Sequence, residues 1–177
     1  MAQAPETLVT DRMREMQGVW TEPVSSFPVD RADIKRWAIS TYWPERPPPI
    51  YWDEDYAKTT HWGGVIAPRD FNPFAWPIER PERLDPWAID SILPRPNDDD
   101  GGVSGGGVGN RGMNGGQTDT LGVVMRPGDV ITQRTRLVDW NERQTRLGLT
   151  MFTRAEHEWT NQRGELVKRR INTLIRY

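Results

Sequence analysis

The sequence predicts an α+β domain in which an antiparallel sheet is wrapped around a helix. Its last third alternates apolar and polar residues over Leu147–Thr160 and Val167–Tyr177, as half-buried strands do. Turn sequences at Arg126–Asp129 and Asn161–Gly164 separate the predicted strands. A sheet with one apolar face must bury that face against another layer. A predicted helix after Asp30 and a second, central helix are expected to cover it.

The N-terminal part is expected to contribute two helices and a strand. Glu6–Gln17 is predicted to be a helix, so that residues 1–17 form an N-terminal helical extension. Thr21–Val29 is predicted to be an edge strand, because its two prolines cannot donate to a ladder. Asp30 is expected to cap the next helix, which carries apolar residues at helical spacing.

The segment Arg46–Phe71 is interpreted as an extended lid over the mouth of a ligand site. Its three consecutive prolines oppose regular helix and strand pairing. Asp53 is expected to cap a short turn over Glu54–Thr59. The lid is expected to lead into the central helix, which would begin near Ala67–Phe71 and be shortened or kinked by the prolines that follow.

The remaining elements are a loop and two strands. Pro94–Gly116 is expected to be a flexible, glycine-rich loop. A strand near Thr118–Met125 is predicted to be joined by the Arg126–Asp129 turn to a strand near Val130–Trp140. With the two C-terminal strands, this predicts a four-stranded antiparallel meander.

Composition excludes several classes of function. The length of 177 residues suits a single domain over residues 1–177. The formal net charge of -2 argues against nucleic acid as a partner. The absence of cysteine excludes disulfides, thiolate zinc sites and a cysteine nucleophile. No apolar run approaches the length of a membrane span, so a cytoplasmic protein with no membrane association is expected.

Several motifs occur in a recognisable order. They are PIYWDEDYA with GGVIAP in the lid, NGGQ at Asn114–Gln117, RPGD at Arg126–Asp129 and TNQRGELV at Thr160–Val167. Over roughly residues 18–177 the chain resembles MaoC-like dehydratase N-terminal domains, also called type I fatty-acid-synthase-like dehydratase domains. The resemblance implies the hot-dog fold, with a proline-rich overhang above a central helix.

The resemblance also implies chemistry on acyl thioesters. Active members hydrate trans-2-enoyl-CoA or dehydrate (R)-3-hydroxyacyl groups with an Asp/His dyad, written Asp-x-Asn-Pro-x-His in the overhang. In this sequence the matching positions are Arg46 and Tyr51. Arginine cannot act as a base, and tyrosine with a reference pKa of about 10 is a poor substitute for histidine. The catalytic dyad is therefore absent from its expected place.

The missing dyad leads to the principal hypothesis about function. The chain is expected to be the acyl-CoA-binding, non-catalytic half of an (R)-specific enoyl-CoA hydratase or 3-hydroxyacyl dehydratase. Its expected partner is a catalytic hot-dog subunit joined edge to edge, although a copy of itself stays open. No cofactor is implied, and no metal site is expected. The expected substrate-binding residues are Tyr51, Trp52, Trp62, Gly64, Ile66, Ala67, Pro68, Phe71 and Trp76.

Two other classes of function remain open. The first is an active hydratase or dehydratase with a relocated acid and base, for which Tyr51, Asp53 and His61 are the candidates. The second is a carbohydrate or small-molecule binding module, which the nine tryptophans of a nearly neutral, strand-rich chain would suit. His157 is interpreted as a hydrogen-bonded core or interface histidine.

Overall fold

A computed structural model describes residues 7–75 and 111–177 of the chain. Within these residues the helices are α1 (Asp11–Met16), α2 (Arg31–Tyr42) and α3 (Glu54–Thr59), with a 3-10 turn at Pro49–Tyr51. The strands are β1 (Val24–Ser25), β2 (Gly112–Leu121), β3 (Ile131–Thr145), β4 (Gly148–Asn161) and β5 (Leu166–Arg176). The α+β class is therefore confirmed. No helix in these ranges is long and apolar enough to cross a bilayer.

The sheet has five antiparallel strands in the order β1-β3-β4-β5-β2. The predicted four-stranded meander is wrong, because β2 pairs with β5 and not with β3. The Arg126–Asp129 turn does form, with the Asp129 N–H donating to the Arg126 carbonyl at 3.1 Å and Gly128 at φ 88°. Val124 and Met125 before it are buried, so this connection runs through the core and does not close a hairpin. Turn chemistry is local and does not specify which strands pair.

The N-terminal elements are shorter than the sequence predicts. Helix α1 begins at Asp11, capped by the Thr10 side chain, and residues 1–6 of the predicted extension lie outside the described residues. Of the predicted strand Thr21–Val29, two residues form β1. The Thr21 and Ser26 N–H groups each donate to β3 at 2.8 Å, but prolines 23 and 28 have no N–H to donate. Asp30 caps α2 as predicted, accepting from the Ala32 N–H.

The lid differs from its prediction at both ends. Prolines 47–49 do not prevent a single 3-10 turn, because proline is tolerated at its first positions. Asp53 caps α3 as predicted, accepting from the Tyr56 N–H at 3.0 Å. The helix predicted to begin at Ala67–Phe71 does not begin there: residues 67–75 form turns, a bend and irregular backbone. The Ala67 N–H donates to the Met125 carbonyl at 2.9 Å, which ties this backbone to a distant segment.

The predicted glycine-rich loop is only partly described. Gly112–Gly116, its C-terminal end, belongs to β2 and not to a loop. These residues pair with the end of β5, with an irregularity between Asn114 and Gly116. Gly116 has φ 109°, a value that glycine adopts without strain. The glycines that predicted a loop therefore allow a bulge within a strand at this point. Residues 94–110 of the predicted loop lie outside the described residues.

The register of β4 against β5 decides which residues share a face. Ala155 lies opposite Asn172, and Trp159 lies opposite Lys168. Ala155 and Trp159 of β4 therefore share one face, which we call the inner face, with Asn172 and Lys168 of β5. Ile171 of β5 falls on the outer face, opposite Glu156. The two alternating runs therefore do not form one continuous apolar face, because the pairing register decides which residues of each strand lie on the same side.

The inner face is covered at its two ends by separate apolar clusters. At one end, Met13 of α1 packs with Leu137 and Met151. At the other end, residues of α2, α3 and the lid pack on the sheet. This second cluster contains Val29, Ile34, Ala57, Val65, Ala67, Phe71, Met125, Ile131 and Val167. Polar side chains of β3, β4 and β5 lie between the two clusters on the same face.

A network of ion pairs occupies the outer face. Arg169 bonds to Glu156 at 2.9 Å and to Glu158 at 3.0 Å. Arg136 also bonds to Glu156, at 2.6 Å, and Arg134 also bonds to Glu158, at 2.5 Å. Both carboxylates are buried, with residue exposures of 5% and 7%. Burial alone would raise the pKa of Glu158, but the hydrogen bonds and charges of Arg134 and Arg169 together outweigh it and lower that pKa.

Replacing Arg169 with methionine is expected to destabilise the fold by about 2–3 kcal/mol at pH 7, because it leaves two buried carboxylates sharing less positive charge. Urea unfolding monitored by circular dichroism measures the change. Arg154→Met is the control: its pair with Asp139 is more exposed, so a clearly smaller loss of stability is expected. The pKa of Glu158 is lower in the folded state than in the unfolded state. The ion pairs of Glu158 therefore stabilise the fold at pH values above its unfolded-state pKa, and this stabilisation is lost as the pH falls through its folded-state pKa. An Arg169→Met penalty that persisted undiminished at pH 3 would contradict this assignment.

Candidate functional site

The overhang segment, residues 44–53, is folded back on itself by short-range hydrogen bonds. The Trp52 and Asp53 N–H groups both donate to the Pro49 carbonyl, at 3.1 and 2.8 Å. The Trp52 indole donates to the Pro47 carbonyl at 3.0 Å. Because the prolines have no N–H of their own, their carbonyls serve as acceptors and fix the position of Trp52.

Two other motifs hold the lid against the sheet. The Ile66 N–H donates to the Ile50 carbonyl at 3.4 Å, which joins the GGVIAP sequence to the overhang segment. The Arg126 guanidinium of the RPGD turn donates to the Trp62 carbonyl at 2.8 Å. Sequence reasoning treated Arg126 as a turn residue and missed this bond. The available signal was an arginine at the start of a turn whose backbone conformation is fixed by its proline and glycine. No neighbouring residue indicated which carbonyl would accept its hydrogen bond.

Two open grooves lie beside the overhang segment. The first, which we call the proline groove, has a volume of about 470 Å³ and is lined by Tyr42, Glu45, Arg46, Pro47, Pro48, Pro49, Trp52, Asp53 and Tyr56. The second, the Tyr51 groove, has a volume of about 230 Å³ and is lined by Arg31, Ala32, Lys35, Tyr51, Trp52, Glu54 and Val65. Trp52 borders both grooves. The larger groove is within the size range of small-molecule sites.

The two positions that match the family dyad line different grooves. Arg46 lines the proline groove, where its guanidinium lies 4.7 Å from the centroid of the Trp52 ring. Tyr51 lines the Tyr51 groove, and its ring centroid lies 6.0 Å from that of Tyr42. Burial, followed by the hydrogen bond with Tyr42, raises the pKa of Tyr51 to about 12. A guanidinium cannot accept a proton, and this phenol holds its own proton at neutral pH.

The fallback acid–base candidates have other contacts. The Asp53 carboxylate accepts the Tyr56 N–H as the cap of α3. The His61 ring is exposed and packs on Trp62, with centroids 4.2 Å apart. His61 does not line the proline groove or the Tyr51 groove. Asp53 and His61 therefore do not line a common groove among these two.

The expected substrate-binding residues divide between the grooves and the core. Tyr51 and Trp52 line the grooves, and Trp62 and Gly64 lie partly buried beside Arg126. Four residues lie in the buried segment beneath the overhang: Ile66, Ala67, Pro68 and Phe71. Phe71 is 2% exposed and packs edge-on against Trp37. Trp76 lies outside the described residues.

His157 of β4 is hydrogen-bonded within the sheet. Its Nδ1 lies 3.0 Å from the Thr135 hydroxyl and its Nε2 lies 3.4 Å from the Asn172 amide nitrogen. Burial, followed by the charge of Arg170, lowers its pKa. The ring is therefore neutral at pH 7, in keeping with the interpretation of a hydrogen-bonded structural histidine.

The raised pKa of Tyr51 predicts a specific dependence of stability on alkaline pH. Because the folded state holds the proton more tightly than the unfolded state, Tyr51 stabilises the fold below a pH of about 10, and this contribution is lost as the pH rises toward 12. Urea unfolding between pH 9 and 11 is expected to show a shallower loss of stability for Tyr51→Phe than for the wild type. Tyr56→Phe, at an exposed tyrosine, is the control and is expected to follow the wild type. Equal slopes for all three proteins would show that Tyr51 has an ordinary pKa.

Comparison with known proteins places these features in a family. The sequence profile of the FAS1-like dehydratase domain region matches residues 15–170. No curated protein matches the sequence. Among solved structures, the ChsH1-ChsH2 complex from Mycobacterium tuberculosis is similar with a TM-score of 0.65 and 16% identity, over 94% of each chain.

Two further structures support the same fold. The C-terminally truncated HadBC (3R-hydroxyacyl-ACP dehydratase) complex from Mycobacterium tuberculosis has a TM-score of 0.57 and 17% identity, over 90% of this chain and 96% of that one. The MaoC-like dehydratase from Rhodospirillum rubrum has a TM-score of 0.53 and 20% identity, over 88% and 90%. These likenesses show the fold of the hot-dog superfamily.

Proposed function

Because this chain belongs to the family of FAS1-like dehydratase domains, we propose that it is the acyl-CoA-binding, non-catalytic subunit of an (R)-specific enoyl-CoA hydratase or 3-hydroxyacyl dehydratase. A single observation carries the proposal. The side chains at the two dyad positions, Arg46 and Tyr51, line different grooves, and neither can take a proton from water at neutral pH.

The chemistry of hydration explains why this observation matters. Addition of water to an enoyl thioester needs a base that takes a proton from the attacking water and an acid that returns a proton to the substrate carbon. It also needs N–H donors for the thioester oxygen as charge develops. A partner hot-dog chain that retains Asp-x-Asn-Pro-x-His would supply the acid and the base, and this chain would contact the acyl-CoA through its lid.

The outer edge of β2 is the surface we propose for that partner. All ten residues of β2 are exposed, and β2 is the last strand of the sheet among the residues that the structure describes. An edge strand of this length presents unpaired backbone N–H and C=O groups to any strand that approaches it. β2 contains no proline and a single charged residue, Asp119, whose carboxylate is held by Arg170 at 2.7 Å. Apart from the irregularity between Asn114 and Gly116, the edge therefore lacks proline and unpaired charge, two of the usual features that oppose pairing.

Assaying the chain with and without a partner tests the proposal. The partner is a hot-dog chain carrying Asp-x-Asn-Pro-x-His, co-expressed with this chain and purified as a complex, and the assay follows loss of trans-2-enoyl-CoA. We expect turnover by the complex, none by this chain alone, and a loss of at least about 100-fold when the partner's motif histidine is replaced by alanine.

Substitutions in this chain separate the proposal from an active enzyme with a relocated acid and base. Tyr51→Phe and Asp53→Asn are expected to leave the turnover of the complex within about three-fold, because neither group transfers a proton. Turnover by the isolated chain that either substitution abolished would overturn the proposal in favour of the relocated dyad. Glycan binding without any affinity for acyl-CoA would instead favour a carbohydrate-binding module.

A further inference from the structure

A polar cleft lies on the inner face between the two apolar clusters. We call it the Lys168 cleft; it has a volume of about 130 Å³ and is lined by Gln133, His157, Trp159, Lys168, Arg170 and Asn172. All six residues belong to β3, β4 and β5, whose backbone groups are paired within the sheet. A ligand in the cleft would therefore be recognised by side chains.

Lys168 is buried without a carboxylate to neutralise it. It is 5% exposed, and its Nζ lies over the Trp159 ring, 4.7 Å from the centroid. Within residues 7–75 and 111–177 no carboxylate lies within 4.0 Å of its Nζ. Burial, followed by the charge of Arg170, lowers the pKa of Lys168. Lys168 therefore presents its ammonium to the cleft with no carboxylate among these residues to compete with an incoming anion.

The other polar groups of the cleft present hydrogen-bond donors. The Gln133 Oε1 already accepts the Trp159 indole N–H at 2.8 Å, which leaves the Gln133 amide N–H groups available. The Asn172 amide donates toward the His157 Nε2 at 3.4 Å with one of its two hydrogens. The Gln133 Oε1 and the His157 Nε2 are therefore engaged within the cleft, while the Gln133 amide N–H groups and one Asn172 N–H have no partner among the described residues. This favours a ligand that brings acceptor atoms.

The charge and volume of the cleft restrict the ligand further. Arg170 is neutralised by Asp119 through two bonds of 2.7 Å, so of these two cations Lys168 is the one without a carboxylate partner among residues 7–75 and 111–177. One positive charge matches a monoanion better than a phosphate dianion. Two acceptor oxygens on one planar group suit a lysine ammonium flanked by amide donors. A carboxylate meets all of these requirements.

We propose that the Lys168 cleft binds a carboxylate group, and that this group is carried at the distal end of the acyl chain. The second half of the statement rests on the proposed function. Lys168 also borders the narrow space beside Ala67 and Pro68, two of the residues expected to contact substrate. The cleft therefore adjoins the lid segment, and the proposed substrate class is an acyl thioester that ends in a carboxylate.

Binding of free carboxylates to the full, isolated chain tests the cleft without any thioester. The probes are hexanoate and its neutral counterpart hexanamide, titrated at pH 7 with binding followed by ligand-observed NMR. We expect hexanoate to bind and hexanamide to bind at least about ten-fold more weakly, which corresponds to about 1.4 kcal/mol. Equal binding of the two probes would overturn the proposal. Tighter binding of inorganic phosphate than of hexanoate would also overturn it, in favour of a phosphate site.

Lys168→Met is the decisive variant because it keeps the length and volume of the side chain and removes the charge. Replacing an unpaired buried charge with an apolar group is expected to leave stability unchanged or improved, so the variant should fold. Hexanoate binding is expected to weaken at least about ten-fold in Lys168→Met. Lys58→Met, at an exposed lysine of α3, is the control and is expected to bind like the wild type. Unchanged binding by Lys168→Met would remove the cleft as the site.

A pair of CoA thioesters of equal acyl length identifies the carrier of the carboxylate. One ends in a carboxylate and the other in a methyl group, and both are assayed with the two-subunit complex. We expect the carboxylate-terminated thioester to be preferred, with the preference lost in Lys168→Met. Hexanoate binding at Lys168 without such a preference would assign the cleft to a free carboxylic acid and overturn the acyl part of the inference. Failure of the complex to turn over either thioester would refute the proposed function and leave the result with hexanoate intact.

Discussion

Replacing Gly122 with alanine is expected to destabilise the protein by about 3 kcal/mol or more, a large effect for the addition of one methyl group. A Cβ at this position would lie 1.8 Å from the Leu166 carbonyl oxygen and 2.7 Å from its carbon. Both are backbone atoms of the neighbouring chain segment and cannot rotate away. Urea unfolding measures the loss.

The clash has a defined structural consequence. The Gly122 N–H donates to the Val167 carbonyl at 3.0 Å, and the Val123 N–H donates to the Leu166 carbonyl at 2.8 Å. Relieving the clash would separate these bonds and shift the segment that leads to Met125, whose carbonyl holds Ala67 in the lid. We therefore expect the variant to lose acyl-CoA turnover in the two-subunit complex as well as stability.

Gly112→Ala provides a matched control at the other end of β2. Its nearest neighbour would be the Ile175 carbonyl oxygen at 3.7 Å, an ordinary contact, so a change within about 1 kcal/mol is expected. Wild-type stability for Gly122→Ala would mean that the chain does not pass this close to Leu166. The path of the segment between β2 and the Arg126–Asp129 turn would then be wrong.

Replacing Gln117 with proline is expected to weaken association with the catalytic partner by at least about 100-fold, or about 2.7 kcal/mol, and to abolish turnover by the mixture. Residues of an antiparallel edge strand direct their N–H groups alternately inward and outward. Because the Gly122 N–H donates inward to β5, the alternation directs the N–H of Gln117 outward. Proline removes this outward donor and leaves the inward ladder in place.

Size-exclusion chromatography with light scattering, followed by the enoyl-CoA assay, measures both effects. Gln117→Ala keeps the N–H and is expected to form the complex normally. Thr118→Pro removes an inward donor and is expected to destabilise the chain itself, which distinguishes loss of pairing from loss of folding. A complex that formed as well with Gln117→Pro as with the wild type would show that the partner does not add to β2.

The local features of the chain were predictable from its sequence. Asp30 and Asp53 cap helices as their residue types and positions predict, and Gly128 takes the positive φ that its turn requires. The family motifs were also recognisable, because the family match covers residues 15–170. Each of these features depends on a few consecutive residues, so a single sequence carries enough information.

The candidate site was predictable only in part. The absence of an acid and a base at Arg46 and Tyr51 follows from residue identity alone. That these residues line different grooves, both bordered by Trp52, depends on how the overhang segment folds back on itself. The contact between Arg126 and the Trp62 carbonyl joins residues 64 positions apart, and no local pattern announces such a partner.

By itself the sequence determined the family, the helix caps, the turns and the lack of a carboxyl and an imidazole at positions 46 and 51, because each is a property of neighbouring residues. The tertiary structure decided that β2 pairs with β5 and that Lys168 lies across from Trp159 on the inner face. Both depend on how strands pair. β2 and β5 are distant in the chain, and the pairing of β4 with β5 is irregular beside Trp159. Alternation within a strand separates its two faces, and only pairing with a neighbour decides which of the two faces inward.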